Sequence, residues 1–246
     1  MGIISKDEFA GRTAIVTGGG RGLGAAVCRL LWEHGCRSIY SLSATGTAKE
    51  TNDNVTYIKA DVSDCRQVEA AVKKVLSDTG RIDILVNCAG ICIKKDFLDI
   101  TEDDYDWVMD INLRGTFLCC QKVMPSMIKH GYGRIVNISS TAGITGGSVG
   151  QIYGMSKAGI IALSQSLGRT FARNGILTNC VAPGEIDTDL LDQVFETEEI
   201  RQKRIENIPV GHIASPDEVA SIVIYLLSDA AGYITGETYR VSGGRV

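Results

Sequence analysis

The sequence lacks most features that would place it in a specialised class. No apolar run reaches the roughly 20 residues that cross a bilayer, so no membrane partner is expected. Lys and Arg number 25 against 29 Asp and Glu, for a net charge of −4. With the few basic residues scattered, there is no electrostatic footprint for nucleic acid. The eight cysteines, Cys28, Cys36, Cys65, Cys88, Cys92, Cys119, Cys120 and Cys180, form no CxxC pair. They show no Cys/His spacing of a zinc site either, so no metal is expected. Several sit in apolar runs such as Leu118-Cys-Cys-Gln121, as small buried hydrophobes do in a reducing compartment. The opening Met1-Gly-Ile-Ile-Ser-Lys-Asp-Glu8 turns charged too early for a secretory leader, and Lys6 stands where a myristoylation motif needs Ser or Thr. The closing Gly-Gly-Arg-Val is neither a prenylation nor a peroxisomal signal. No internal repeat, low-complexity stretch or linker interrupts the chain. What remains is ordinary globular composition, 44% hydrophobic and 22% charged over 246 residues. One soluble, cytoplasmic domain over residues 1–246 is expected.

Short apolar strands alternate with amphipathic helices. Strands are expected at Thr13–Thr17, Ser38–Leu42, Val55–Ala60, Ile82–Asn87, Arg134–Ser139, Ile176–Val181 and Glu237–Val241. Helices are expected at Leu23–His34, Asp64–Asp78 with Ser63 as N-cap, Glu102–Asn112, Gly115–His130 and Gly150–Asn174, the last stopped by Asn174-Gly175. Ser215-Pro-Asp-Glu218 has the Ser, Pro and Glu spacing of a capped helix start. Repeated β-α units predict an α/β fold of Rossmann type: a doubly wound, mostly parallel seven-stranded sheet with helices on both faces. The second crossover, Ser43–Asn54, is too short and polar for a full helix.

Four stretches carry chemistry. Thr17-Gly-Gly-Gly-Arg-Gly-Leu-Gly24 follows the first strand and opens a helix. Glycines let the backbone approach a pyrophosphate, and the helix N-terminus offers free N–H groups. After strand three, the Asp61 carboxylate, followed by Val62, can either accept from an adenine amino group or cap the next helix. Asn87-Cys-Ala-Gly90 ends strand four with small residues, at the edge where open α/β sheets bind ligands. Tyr153 and Lys157 are four apart, which on a helix puts ammonium and phenol on one face. At about 5 Å and a dielectric near 20, that charge is worth roughly 3 kcal/mol, or about two pKa units toward phenolate. Burial of the phenol works in the opposite direction.

Together these motifs resemble the short-chain dehydrogenase/reductase family over nearly the whole chain. The TGxxxGxG pattern is met by Thr17, Gly18, Gly22 and Gly24, and NNAG by Asn87, Cys88, Ala89 and Gly90, with Cys for the second Asn. The resemblance implies Asn112, Ser140, Tyr153 and Lys157 as catalytic residues. Tyr153 exchanges the proton, Lys157 tunes it and binds the nicotinamide ribose, Ser140 holds the substrate oxygen, and Asn112 anchors a relay water. It also implies a nicotinamide cofactor held by Gly18, Arg21, Gly22, Leu23, Gly24, Ser43, Asp61, Val62, Asn87, Ala89, Gly90, Tyr153, Lys157, Pro183, Gly184, Ile186 and Thr188.

No acid stands at the end of strand two, where Leu42 and Ser43 fall, and none occurs until Glu50. Arg21 and Ser43, with help from Lys49, therefore favour NADP(H) over NAD. Glu185, after Pro183-Gly184, is a candidate to grip a hydroxylated or cationic substrate, or else points into solvent or pairs with an arginine. Residues 187–210 read as a lid. The implied activity is hydride transfer between nicotinamide and a carbonyl or secondary alcohol. Reduction of a 3-oxoacyl thioester on a carrier protein is the leading case. An acidic carrier would dock on Lys129, His130 and Arg173 at the active-site mouth. A polyol, sugar or hydroxysteroid dehydrogenase using NAD is the alternative, and a non-catalytic nucleotide sensor a remote one. The resemblance also implies a homotetramer built on the two long helices.

Overall fold

A computed structural model describes residues 4–48, 52–147, 150–192 and 197–245. Among them, seven strands form one sheet: β1 (Thr13–Thr17), β2 (Ser38–Ser43), β3 (Thr56–Lys59), β4 (Ile84–Asn87), β5 (Gly133–Ile138), β6 (Ile176–Pro183) and β7 (Thr238–Val241). Their order is β3-β2-β1-β4-β5-β6-β7 and every pairing is parallel, where the sequence predicts only a mostly parallel sheet. The chain winds outward from β1 to β3, then returns to place β4 on the other side of β1. That reversal opens a crevice at the C-terminal ends of β1 and β4.

Strand alternation divides the core. Ala14, Val16, Val86 and Val136 face one layer, where α1 (Gly22–Glu33) and α9 (Pro216–Leu227) pack. Ile15, Leu85 and Ile135 face the other, covered by α2 (Cys65–Thr79), α4 (Gly115–His130) and α6 (Gln151–Phe171). Since both faces are covered, the strands read as continuous apolar runs rather than alternating ones. All eight cysteines are free thiols. Among the described residues no helix is long and apolar enough to cross a membrane, and no group of three or more His, Cys, Asp or Glu could hold a metal.

Several boundaries move for local reasons. Asp64, not Ser63, caps α2, its carboxylate accepting from the Arg66 and Gln67 amides. The helix expected over Glu102–Asn112 ends as α3 (Glu102–Met109), and a π-helical turn over Asp110–Arg114 links it to α4. The long helix stops at Phe171, followed by a 3₁₀ turn over Ala172–Asn174 and left-handed Gly175. Ser215 and Glu218 form the expected capping box on α9. Residues 44–48 and 52–55 contain no helix; Lys49 and Glu50 lie outside the described residues. The lid span contains α7 (Asp189–Asp192) and α8 (Glu198–Glu206), while residues 193–196 lie outside the description. A short α5 (Ala142–Thr145) was not expected.

The glycine turn is set by close approach. A Cβ on Gly24 would lie 2.3 Å from the Gly18 carbonyl oxygen, so α1 can start here only on a bare α-carbon. Gly24→Ala is expected to destabilise the protein by about 1–3 kcal/mol, read from urea denaturation. An unchanged midpoint would mean that the turn has slack.

Candidate active site

A cleft of about 1370 Å³ runs along the C-terminal ends of the strands. It exceeds the roughly 300–1,000 Å³ of ordinary small-molecule sites, leaving room for a dinucleotide and a second, smaller molecule. At one end, Gly18, Gly22, Leu23 and Gly24 line it. Arg21, the N-cap of α1, has extended backbone and makes no side-chain cap bond, and the N-terminus of α1 stands at this end of the cleft. The turn is braced from below: Thr17 Oγ1 accepts from the Cys88 and Ala89 amides at 3.1 and 3.0 Å. These features fit a pyrophosphate.

At the end of β2 and just after it, Ser43 and Thr45 bring hydroxyls to the wall, their oxygens 3.4 Å apart. Arg21 lines the same region, but its Nη1 lies 3.4 Å from Asp189 on α7. Asp61 and Val62 also line the cleft. Asp61 does not cap α2; its Oδ1 accepts from the Ser63 amide and hydroxyl at 2.9 and 2.7 Å.

The opposite end gathers the reactive groups. Helix α6 carries Tyr153 and Lys157 on one face, with Lys157 Nζ 5.6 Å from the Tyr153 ring centre. Nζ donates to the Ile138 carbonyl at the end of β5, at 2.9 Å. Ser140 follows that strand end, and its Oγ accepts from the Ala142 amide at 3.1 Å. Gly143 on α5 lets this segment lie against α6, since a Cβ there would meet the Lys157 carbonyl carbon at 2.7 Å. Burial pushes the Tyr153 hydroxyl up to about 12, while hydrogen bonding with Ser140 pulls it down. Burial pushes the Lys157 ammonium down to about 8, against neighbouring thiols that favour its charge. Desolvation is the largest influence on the phenol, so the expected drop toward phenolate is not found here.

Two of the expected site residues do not reach the cleft wall. Asn87 is buried behind it, donating to Asn137 Oδ1 at 2.8 Å and to Cys120 Sγ at 3.4 Å. Asn112, on the π turn, is also buried. Its Oδ1 accepts from the Ile91 amide at 2.8 Å, and its Nδ2 donates to the Ile91 carbonyl at 2.9 Å and to Ser156 Oγ at 3.0 Å. Ser156 Oγ in turn donates to the Tyr153 carbonyl at 2.8 Å. Asn112 thus braces the strand-four loop against the first turn of α6. Ala89, Gly90, Pro183, Gly184, Ile186 and Thr188 line the wall between the phosphate turn and Ser140.

Glu185 lines the cleft beside Ser140, paired with Arg245 and Arg204. Of the alternatives expected for it, the arginine pairing is the one found. Sequence reasoning missed both arginines, the Ile138 carbonyl and Ser156. Ser156 carried a signal, lying beside Lys157 and three residues after Tyr153; Arg245 carried none. Lys129, His130 and Arg173 were expected at the mouth. They precede β5 and β6 in the chain, so in one chain they sit at the opposite edge of the sheet.

A family model described as Enoyl-(Acyl carrier protein) reductase matches residues 18–245. The 3-oxoacyl-(acyl-carrier-protein) reductase FabG of Aquifex aeolicus is 39% identical, over 96% of this chain and 98% of its own. Oxidoreductase UcpA of Salmonella typhimurium is 35% identical, over 96% and 95%. The crystal structure of gox2181 superposes with a TM-score of 0.89 at 37% identity, covering 97% of each chain. With the glycine turn, the Ser-Tyr-Lys cluster and the full-length similarity in agreement, the chain belongs to the short-chain dehydrogenase/reductase family of NAD(P)-dependent oxidoreductases acting on CH–OH groups.

Proposed function

We propose that the protein is an NADPH-dependent ketoreductase that reduces a 3-oxoacyl-type carbonyl to a secondary alcohol. One observation carries this reading: the Tyr153 hydroxyl, raised to about 12 by desolvation, set with Ser140 and Lys157 in one cleft. Such a phenol stays protonated at neutral pH, the form in which it can give a proton to a reduced carbonyl. The nicotinamide supplies the hydride when bound. Ser140 holds and polarises the carbonyl oxygen, whose developing charge it stabilises. Tyr153 protonates that oxygen. Lys157, cationic below about pH 8, stabilises the phenolate left behind. Asn112 acts as a positioning residue, through Ile91 and Ser156. The relatives named as 3-oxoacyl reductases support the 3-oxo substrate.

In this reading Gly18, Gly22, Leu23 and Gly24 hold the pyrophosphate, and Asp61 and Val62 the adenine. Ala89, Gly90, Pro183, Gly184, Ile186 and Thr188 hold the nicotinamide end. NADPH is favoured because residues 43–48 bring hydroxyls and no carboxylate. The Arg21–Asp189 contact is exposed and long, a weak pairing that a 2′-phosphate can displace. Self-association as a homotetramer through α4 and α6 belongs to the same reading; Leu113, Phe117 and Leu163 line an apolar groove there.

Tyr153→Phe is expected to lower kcat/KM for ketone reduction by about 10²–10⁴-fold while nucleotide binding, followed by fluorescence, persists. Parent-like turnover by the folded variant would remove Tyr153 from the chemistry. Lys157 loses its proton as pH rises through about 8, so kcat/KM for reduction should hold below that pH and fall above it, by about tenfold per unit. A flat profile to pH 9.5 would sink this assignment. Arg21→Ala should raise KM for NADPH several-fold more than KM for NADH; equal effects would take Arg21 out of cofactor selection.

A further inference from the structure

The substrate end of the cleft carries a charge arrangement that the hydride-transfer chemistry does not need. Arg245 Nη1 bonds to Glu185 Oε1, and Arg204 Nη1 lies 3.6 Å from the same oxygen. All three residues line the cleft and all are mostly shielded, with side-chain exposures of 15% for Glu185, 25% for Arg204 and 31% for Arg245. A cationic substrate would therefore meet two guanidinium groups rather than an open carboxylate. The other acids of this wall are also engaged, Asp187 with Arg201 at 2.6 Å and Asp189 with Arg21 at 3.4 Å.

The cluster stands close to the reacting end. The Thr141 amide donates to the Pro183 carbonyl at 2.8 Å, which fixes the strand end carrying Glu185 next to Ser140. Arg245 arrives from the far end of the chain. The Gly184 amide donates to the Val241 carbonyl at 2.8 Å, left-handed Gly243 and Gly244 turn the backbone, and the Val210 amide donates to the Gly243 carbonyl at 3.1 Å. Ser242 then exchanges two hydrogen bonds with the Arg245 backbone, at 3.1 and 2.8 Å. Arg245 is thus fixed by its own main chain and aimed by Glu185. A guanidinium presents five N–H donors in a planar fork, and the bond to Glu185 runs through Nη1 alone.

We propose that Arg245, oriented by Glu185 and accompanied by Arg204, binds an anionic group, carboxylate or phosphate, on the carbonyl substrate. The pocket then selects small oxo acids or phosphorylated ketones over their neutral counterparts. Arg245 is the specificity residue and Glu185 a positioning residue. The inference rests on the ketoreductase reading and narrows its substrate from carrier-bound thioesters to free anions. The displacement of Lys129, His130 and Arg173 to the far edge of the sheet agrees with it.

Two matched pairs test the idea with NADPH: acetoacetate against ethyl acetoacetate, and dihydroxyacetone phosphate against dihydroxyacetone. The wild type should prefer the anion of at least one pair by about tenfold or more in kcat/KM, and which pair responds identifies the anion. Arg245→Met should bring that ratio close to one, chiefly through KM for the anion, and Arg245→Lys should recover part of it. Glu185→Gln removes the competing negative charge, so KM for the anion should fall, while the loosened aim of Arg245 should lower kcat for the anion alone. The proposal is overturned if the wild type treats both members of each pair alike, or if Arg245→Met slows both members equally. Should none of the four compounds be reduced, the ketoreductase reading fails separately, and calorimetric titration of the two anions still decides. Binding that weakens in Arg245→Met supports the anion site; no binding to the wild type overturns it.

Discussion

A positive charge kept out of water organises this molecule. Lys157 is 4% exposed, and taking an ammonium into a protein interior costs several kcal/mol unless hydrogen bonds compensate. The Ile138 carbonyl provides one such bond because β5 ends where α6 passes over it. Ser139 Oγ, bonded to the Lys157 carbonyl at 2.8 Å, ties the helix to the same strand end. The register of α6 on β5 therefore sets where the lysine sits, and with it Tyr153 one turn earlier. The depressed lysine and the raised tyrosine have one cause, burial, and the cleft depends on both.

The parallel sheet gives its two edges different tasks. At the C-terminal edge the ends of the strands surround the cleft. At the N-terminal edge the charges serve the fold: buried Asp83 accepts from the Thr13 amide at 2.9 Å and from Arg81 Nε at 2.9 Å. Tyr132 lies between the guanidiniums of Arg12 and Arg134, at 3.7 and 4.3 Å, and Arg134 pairs with Asp229 at 3.0 Å. Lys129, His130 and Arg173 belong to this edge. Besides Lys157 and Arg21, the cations of the cleft are Arg204 on α8 and Arg245 after β7.

What the sequence revealed and what it hid follow one physical division. Helix spacing, glycine turns and caps are local, so Tyr153 with Lys157, the phosphate turn and the Ser215 box were legible, as was the alternation that builds the sheet. Partners supplied by distant chain were not. Nothing near Glu185 in the sequence points to Arg245, sixty residues on, and nothing at Asn87 signals that it turns inward to Asn137. The phenol's proton affinity divides along the same line. A lysine four residues away is visible in sequence, whereas the extent of the desolvation that raises the phenol is set only once the chain has folded.

The free thiols show how far that desolvation extends. Burial raises Cys36 and Cys180 to about 11 and Cys120 to about 12, and raises Cys28 and Cys119 as well. Even at the cleft wall, Cys88 and Cys92 are pushed up to about 12 and 11, although Lys157 pulls them down. Thiolate, not thiol, is the species that peroxide and alkylating reagents attack. For these seven thiols burial disfavours the reactive thiolate, so their exposure to such reagents depends on how often the surrounding packing opens.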